Sequence, residues 1–198
     1  MIVTDKNLLT SKCEPCETIK EGEEIATKLL KELTKSQSGI GLAANQIGIN
    51  KRVCVINVIE PVILINPRIM EVKEKTYTIE GCLSFPGKQV RTERFKHITI
   101  ESDNLGVVSF GPTGSIDTKY SDKQQLQLLE SICVQHEIDH LDGITMYERT
   151  YKRQPVVREG KKIGRNDKVL IASGTESKVI KYKKAIPLLE KGWVIVDA

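Results

Sequence analysis

The most chemically loaded stretch of this sequence is Gln135-His136-Glu137-Ile138-Asp139-His140. Two histidines four positions apart stand one above the other on a helix and can chelate one ion. A glutamate between them can accept a proton from water at that ion. The plainer reading of such a pattern is a pair of surface histidines. Against it, the histidines extend an apolar helical face through Leu126, Leu129, Ile132 and Cys133. Buried imidazoles at that spacing favour ligation.

A catalytic ion needs a third protein ligand and an open position. The candidates are Cys82, Cys133, His97 and the carboxylates. Cys133 precedes His136 by one turn, but three ligands from one straight helix cannot easily surround an ion. Its sulfur is expected to line the wall. Cys82 lies in Glu80-Gly81-Cys82-Leu83-Ser84, a segment able to bring a thiolate in from another element. His97 stands in a strand pattern and reads as solvent-facing. A zinc peptidase would place its third ligand after the helix; no histidine follows His140, though Glu148 and Glu159 do.

These residues need elements to hold them. Ser121 with Gln124 forms a capping-box pattern, and Gly143 is placed to end a helix, which predicts a helix near 122–142. Thr18 with Glu21 is a similar signature, followed by Ile25, Leu29, Leu30 and Leu33 at helical spacing; this predicts a helix near 19–36. Residues 52–58, 61–66 and 96–101 are β-branched runs and read as strands. Several strands before one long late helix indicate an α+β layout. After Arg153-Gln154-Pro155, strand patterns at 168–172, 178–182 and 193–196 surround a short helical segment at 183–191.

The balance of charge divides the chain. Residues 155–198 carry ten Lys/Arg against five Asp/Glu, leaving twenty against twenty-one in residues 1–154. A neutral body with a basic tail suggests contact with a polyanion through the tail. The plainer reading of the tail is a set of strands covering a sheet edge, with solvated lysines outside. No stretch approaches the roughly 18 apolar residues of a membrane helix. Asp5 and Lys6 break any signal-peptide core, so the expected compartment is the cytoplasm. Five cysteines there read as thiols or ligands, and Cys13-x-x-Cys16, lacking a second pair, reads as incidental.

Gly39-Ile40-Gly41-Leu42-Ala43-Ala44-Asn45-Gln46, Glu80-Gly81-Cys82-Leu83-Ser84 and Gln135 to His140 resemble, in order, the three motifs of the peptide deformylases. Arg52 to Val58, Asn66-Pro67, Arg94 and Leu141-Asp142-Gly143 are similar to the intervening pattern of that family. The resemblance covers about residues 1–152. It implies an α+β fold with antiparallel or mixed sheets around a long metal-binding helix, as a catalytic domain at 1–153. A basic, strand-rich extension at 154–198 falls outside it. It also implies an enzyme that removes the formyl group from the N-terminal formylmethionine of nascent polypeptides.

The same resemblance assigns roles. Cys82, His136 and His140 would hold one divalent ion per chain, ferrous iron by family habit, with zinc, nickel or cobalt also accepted. Glu137 would move the proton. The Gln46 amide and the Leu83 backbone N–H would hold the oxyanion. Gly39 and Gly41 would let the loop pair with an extended peptide, and Ile40, Leu129, Ile132 and Cys133 would line the methionine pocket. Glu80 would anchor the loop or support a ligand, with Asp139 a weaker candidate for support. The partners expected are formylmethionyl nascent peptides and, through the tail, ribosomal RNA; no DNA or membrane partner is expected.

Overall fold

The computed structural model describes residues 1–36, 38–114, 120–151, 157–158, 161–173 and 176–197. They fall into two compact units, Met1–Tyr151 and Lys152–Ala198.

The first unit opens with a single helical turn, α1 (Lys6–Leu9), and then α2 (Ile19–Leu33). Thr18 caps α2 by accepting from the Glu21 N–H at 3.1 Å. The Glu21 carboxylate, though, accepts from the Glu17 N–H rather than from Thr18, so the box is only half closed. The helix ends at Leu33, three residues before the expected limit, where Thr34 caps it.

Three short strands follow: β1 (Gly41–Ala43), β2 (Val53–Asn57) and β3 (Pro61–Ile65). They form one antiparallel sheet with β2 in the middle. A second antiparallel sheet holds β4 (Arg68–Gly81), β5 (Gln89–Ser102) and β6 (Gly106–Phe110), with β5 in the middle. The β4 and β5 strands are 14 residues each, far longer than the apolar run at 96–101 suggested. Their alternation is masked because β4 is exposed along most of its length and carries charge there.

Helix α3 (Asp122–Leu141) packs against both sheets. Its Cys133, Val134, Ile138 and Leu141 share a core with Cys54, Ile56 and Leu64 of the first sheet and Ile98 and Ile100 of the second. On the other side of the first sheet, Ile25, Ala26, Leu29 and Leu33 of α2 pack on Val53, Val55 and Ile65. The capping box at Ser121 and Gln124 is fully formed. Every residue from Ser131 to Leu141 is buried, whereas Leu126 and Leu129 are substantially exposed. One-sided periodicity therefore describes only the N-terminal half of α3; the C-terminal half is enclosed all round. No helix among the described residues is long and apolar enough to cross a membrane.

The second unit contains a two-stranded ribbon, β7 (Val157–Arg158) with β8 (Lys161–Lys162). It continues with β9 (Lys168–Ser173), β10 (Glu176–Lys181), α4 (Tyr182–Leu189) and β11 (Val194–Asp197). β9 is central, flanked by β10 and β11, and its Val169 and Ile171 pack on Tyr182 and Ala185 of α4. The expected boundary at 153/154 lies outside the described residues.

Gly22 sits where α2 lies closest to the first sheet: a Cβ there would come within 2.6–2.7 Å of three side-chain carbons of Ile65. Alanine would gain up to about 1 kcal/mol of helix propensity. Overpacking costs about 1–3 kcal/mol and should win. Gly22→Ala is expected to lower the urea midpoint, with a net loss of about 1 kcal/mol.

Candidate metal centre

The turn after β4 carries Cys82 towards the buried half of α3. Its Sγ lies 3.2 Å from His140 Nε2. One donor atom each from Cys82, His136 and His140 falls within 4.8 Å of the others, the one such grouping among the described residues. A thiolate and two imidazoles at this spacing suit a divalent transition ion, and three protein ligands leave the fourth position that a catalytic site requires. Cys133 points elsewhere: its thiol faces the Ile40 carbonyl at 3.5 Å. His97 is half-buried on β5 against Gly111 and lies outside the cluster. Glu148 is bonded to Thr145 within its own turn. Glu159 lies outside the described residues.

The His136 imidazole is oriented from behind. Glu80 Oε2 is 2.7 Å from His136 Nδ1, leaving Nε2 for an ion. Glu80 itself is gripped by Arg94, Nε to Oε1 at 2.6 Å and Nη2 to Oε2 at 2.9 Å, and accepts from Thr92 Oγ1. The third nitrogen of Arg94, Nη1, reaches Asp139. Arg149 takes the same Asp139 in a fork, at 2.9 and 2.7 Å. Asn45 Nδ2 donates to the His140 carbonyl at 2.6 Å, and Arg52 holds the Leu141 carbonyl and the Asp142 carboxylate.

The electrostatics follow. Burial works against charge on Glu80, but hydrogen bonds from His136 and Arg94 outweigh it and hold the carboxyl at about 2. Burial also disfavours charge on His136, yet its hydrogen bonds to Cys82 and Glu80 raise it to about 10. An ion would displace that proton, since metal and proton compete for the same lone pair. For His140, burial and then the neighbouring His136 depress its basicity well below the ordinary histidine value. Burial lifts the Glu137 carboxyl to about 7, with His136 opposing and Glu80 adding. Glu137 Oε2 and His140 Nδ1 are buried without a hydrogen-bond partner among the described residues.

A cleft of about 590 Å³ opens over this cluster. Gly39, Ile40 and Gly41 form one wall, Glu80 to Leu83 another, and Leu129, Ile132, Cys133, His136 and Glu137 line the helix side. Gly41 is required by space: a Cβ there would lie 2.6 Å from both Glu137 Oε1 and Cys133 Sγ. Gln46 also lines the cleft. Its Oε1 accepts from the Ala43 N–H at 2.8 Å, which aims Nε2 at Cys82 Sγ, 3.4 Å, and Ser84 Oγ, 3.2 Å.

Residues 1–156 match the family model described as polypeptide deformylase. The chain belongs to the peptide deformylase family. Enzymes of this family remove N-formyl groups from nascent polypeptides, and that is the activity of this chain. The peptide deformylase of Hamiltonella defensa is 37% identical over 146 residues, covering 71% of this chain and 78% of that one. The crystal structure of peptide deformylase from Thermotoga maritima superposes with a TM-score of 0.62 at 28% identity, covering 77% of this chain and 97% of that one. A probable peptide deformylase from Synechococcus phage S-SSM7 gives a TM-score of 0.58 at 32% identity, covering 75% and 98%. The fold is accordingly that of the deformylases, with antiparallel sheets and few helices.

Of the residues singled out in the three motifs, Gly39, Ile40, Gly41, Gln46, Glu80, Cys82, Leu83, His136 and Glu137 line one cleft in this deformylase, while Asp139 and His140 are not part of its lining. Sequence reasoning missed the residues behind them. In the sequence, Arg94 and Ser84 stand out only as parts of motifs, and Thr92 and Arg149 do not stand out. No sequence signal marks them, because the burial of Arg94 between two carboxylates is visible only in the fold. Cys13 and Cys16 are buried in two different parts of the core and lie apart from the cluster.

Removing one partner of a buried ion pair costs about 3–5 kcal/mol, because the remaining charge is left uncompensated. Arg94→Met would leave Glu80 without its guanidinium partner, while Asp139 keeps its fork to Arg149. The variant is expected to lose stability on that scale in chemical denaturation, with most of the bound metal lost as well.

Proposed function

We propose that Cys82, His136 and His140 hold one divalent ion and that Glu137, Gln46 and the Leu83 N–H carry out formyl hydrolysis around it. The observation that carries this reading is the convergence of three ligand-type atoms within 4.8 Å under a cleft that also contains Glu137 and Gln46. Bound there, the ion supplies Lewis acidity and lowers the pKa of water towards about 7. Ferrous iron is the ion inferred from the family resemblance; the donor set itself also suits zinc, nickel or cobalt.

Glu137 takes the proton from the attacking water. Its carboxyl, lifted by burial towards neutrality, is matched to accepting that proton and giving it up again. Water adds to the formyl carbon, the carbon–nitrogen bond breaks, formate leaves, and Glu137 returns the proton to the amine. Gln46 Nε2 and the Leu83 N–H donate to the oxyanion that forms on the formyl oxygen; one such donor typically contributes about 10²–10³ in rate. The commitment of Gln46 Oε1 to Ala43 supports this role, because it fixes the donor end towards the site. Ile40, Leu129, Ile132 and Cys133 form the methionine pocket, and the backbone of Gly39 to Gly41 pairs with the extended peptide. Residues 1–153 form the catalytic domain, acting in the cytoplasm where formylated chains are made. Formate release from formyl-Met-Ala-Ser, with kcat/KM lower for a formyl-Ala peptide and no cleavage of unformylated peptides, tests the whole reading.

Residues 154–198 are proposed to dock the enzyme on ribosomal RNA. Supporting this, Lys168 and Lys181 are strand partners, and the Lys183 N–H donates to the Arg165 carbonyl at 2.9 Å. Arg165, Lys168, Lys181, Lys183 and Lys184 therefore gather at one corner of the second unit. The side chains of Lys161 and Lys162 lie outside the described residues.

Three expectations follow from these assignments. In metal analysis, Cys82→Ala should lose bound metal while Cys133→Ala keeps it. Glu137→Gln should retain metal with turnover down by about 10² or more, the usual scale for lost acid–base catalysis. A chain truncated after Gln154 should lose ribosome co-sedimentation at low salt yet still hydrolyse short formyl-peptides. Sedimentation of the full chain should weaken steeply as salt rises, since phosphate contacts release counterions. Equal sedimentation by both chains would refute docking, and failure of the truncated chain to fold would make the tail strands structural.

A further inference from the structure

Beyond the cleft, two arginine–carboxylate forks stand in series behind His136. The segment after α3 returns along β5: the Glu93 N–H donates to the Arg149 carbonyl at 3.0 Å, and the Tyr151 N–H donates to the Arg91 carbonyl at 2.8 Å. Thr150 bridges Thr92 between them. This short strap fixes the backbone at and just after Arg149, whose guanidinium takes Asp139 through two nitrogens and both carboxylate oxygens. Asp139 also receives Arg94 Nη1, while the other two nitrogens of Arg94 grip Glu80. Glu80 then holds His136 Nδ1 at 2.7 Å.

Charge counting explains why the outer fork matters. Arg94 alone faces two buried carboxylates, Glu80 and Asp139. One guanidinium carries a single positive charge and cannot neutralise both. With Arg149 neutralising Asp139, Arg94 is free to commit two of its three nitrogens to Glu80. Without Arg149, Asp139 competes for Arg94, and the Glu80 carboxylate that orients the imidazole loses its fixed partner. Asp139 is also the residue before His140 on the same helix turn, so its position bears on both histidines.

We infer that Arg149 is a positioning residue for the metal centre: by neutralising Asp139 it keeps Arg94 on Glu80 and so keeps His136 in its ligating orientation. Arg149 touches neither the cleft nor any of the proposed ligands. It acts through three intervening side chains, and its own side chain is 44% exposed, so little core packing depends on it. The inference rests on Cys82, His136 and His140 being the ligands.

The test is transfer of nickel from the loaded full-length protein to excess EDTA, followed together with thermal unfolding. Partners of ligating histidines typically contribute 10–100-fold in metal affinity. Being further removed, Arg149→Met is expected at the low end, losing nickel about tenfold faster than wild type. Arg149→Lys keeps the charge but not the fork and should fall between them. The decisive variant is Asp139→Asn in the Arg149→Met background: removing the competing charge should restore nickel retention towards wild type, whereas a purely structural defect would be deepened. If Arg149→Met holds nickel as well as wild type, or the double variant loses it faster than the single, the inference is wrong. Should Arg149→Met fail to fold, the Arg149→Lys chain and its Asp139→Asn double carry the same comparison. Loss of nickel from Cys82→Ala but not from Arg149→Met would sink the positioning role while leaving the ligand assignment intact.

Discussion

From Ser131 onwards α3 is enclosed on every side, yet that stretch carries Gln135, His136, Glu137, Asp139 and His140. A helix satisfies its own backbone but offers nothing to its side chains, so each of these groups must find a partner elsewhere or leave a buried polar atom unmet. Gln135 is met by both backbone groups of Phe95 on β5. His136 is met by Glu80 at the end of β4, and Asp139 by Arg94 and Arg149. The two sheets are therefore tied to the helix by polar side chains as well as by the apolar core, and the register of β4 on β5 is what delivers Glu80, Thr92 and Arg94 to the right depth. Glu137 Oε2 and His140 Nδ1 are the exceptions, buried without a hydrogen-bond partner among the described residues, and Glu137 lines the cleft.

The chemistry of the site was legible because it depends on residue identity at fixed spacing. A pair of histidines four apart, a glutamate between them and a glycine-bounded cysteine can be read without knowing where the strands run. The caps of α3 were equally plain, since Ser121 and Gln124 act within one turn. The long β4–β5 pair was not legible. Its residues alternate only weakly in polarity, because β4 is solvated along most of its length, and the apolar signal survives only where β5 meets the core at Ile98 and Ile100. The same limitation hid Arg94 and Arg149. An arginine in sequence looks solvent-bound; only the fold shows that one is buried between two carboxylates and the other is held over the second by a strap.

Glycine is used here for two distinct reasons. Gly41 has no room for a side chain because Glu137 and Cys133 occupy the space, so the glycine permits the glutamate to stand beside the cleft. Gly143 instead adopts a positive φ of 71°, turning the chain out of α3 while Asn45 and Arg52 take up the last helical carbonyls. One of these is a constraint on the site and the other on the element that carries it. A sequence pattern alone records both simply as glycine.

The two halves of the cluster are far apart along the chain: Cys82 and His140 are separated by 58 positions. During synthesis at about 5–20 residues per second, the cysteine would be made roughly 3–12 s before the second histidine. Throughout that interval its sulfur has no partner set with which to bind an ion, and it stands as an ordinary thiol open to oxidation. On the ligand set proposed above, an enzyme that works on chains still being made is itself, while being made, briefly exposed at one of its ligand atoms, and the supply of metal and the redox state of its surroundings at that moment would bear on how much of it matures to the active form.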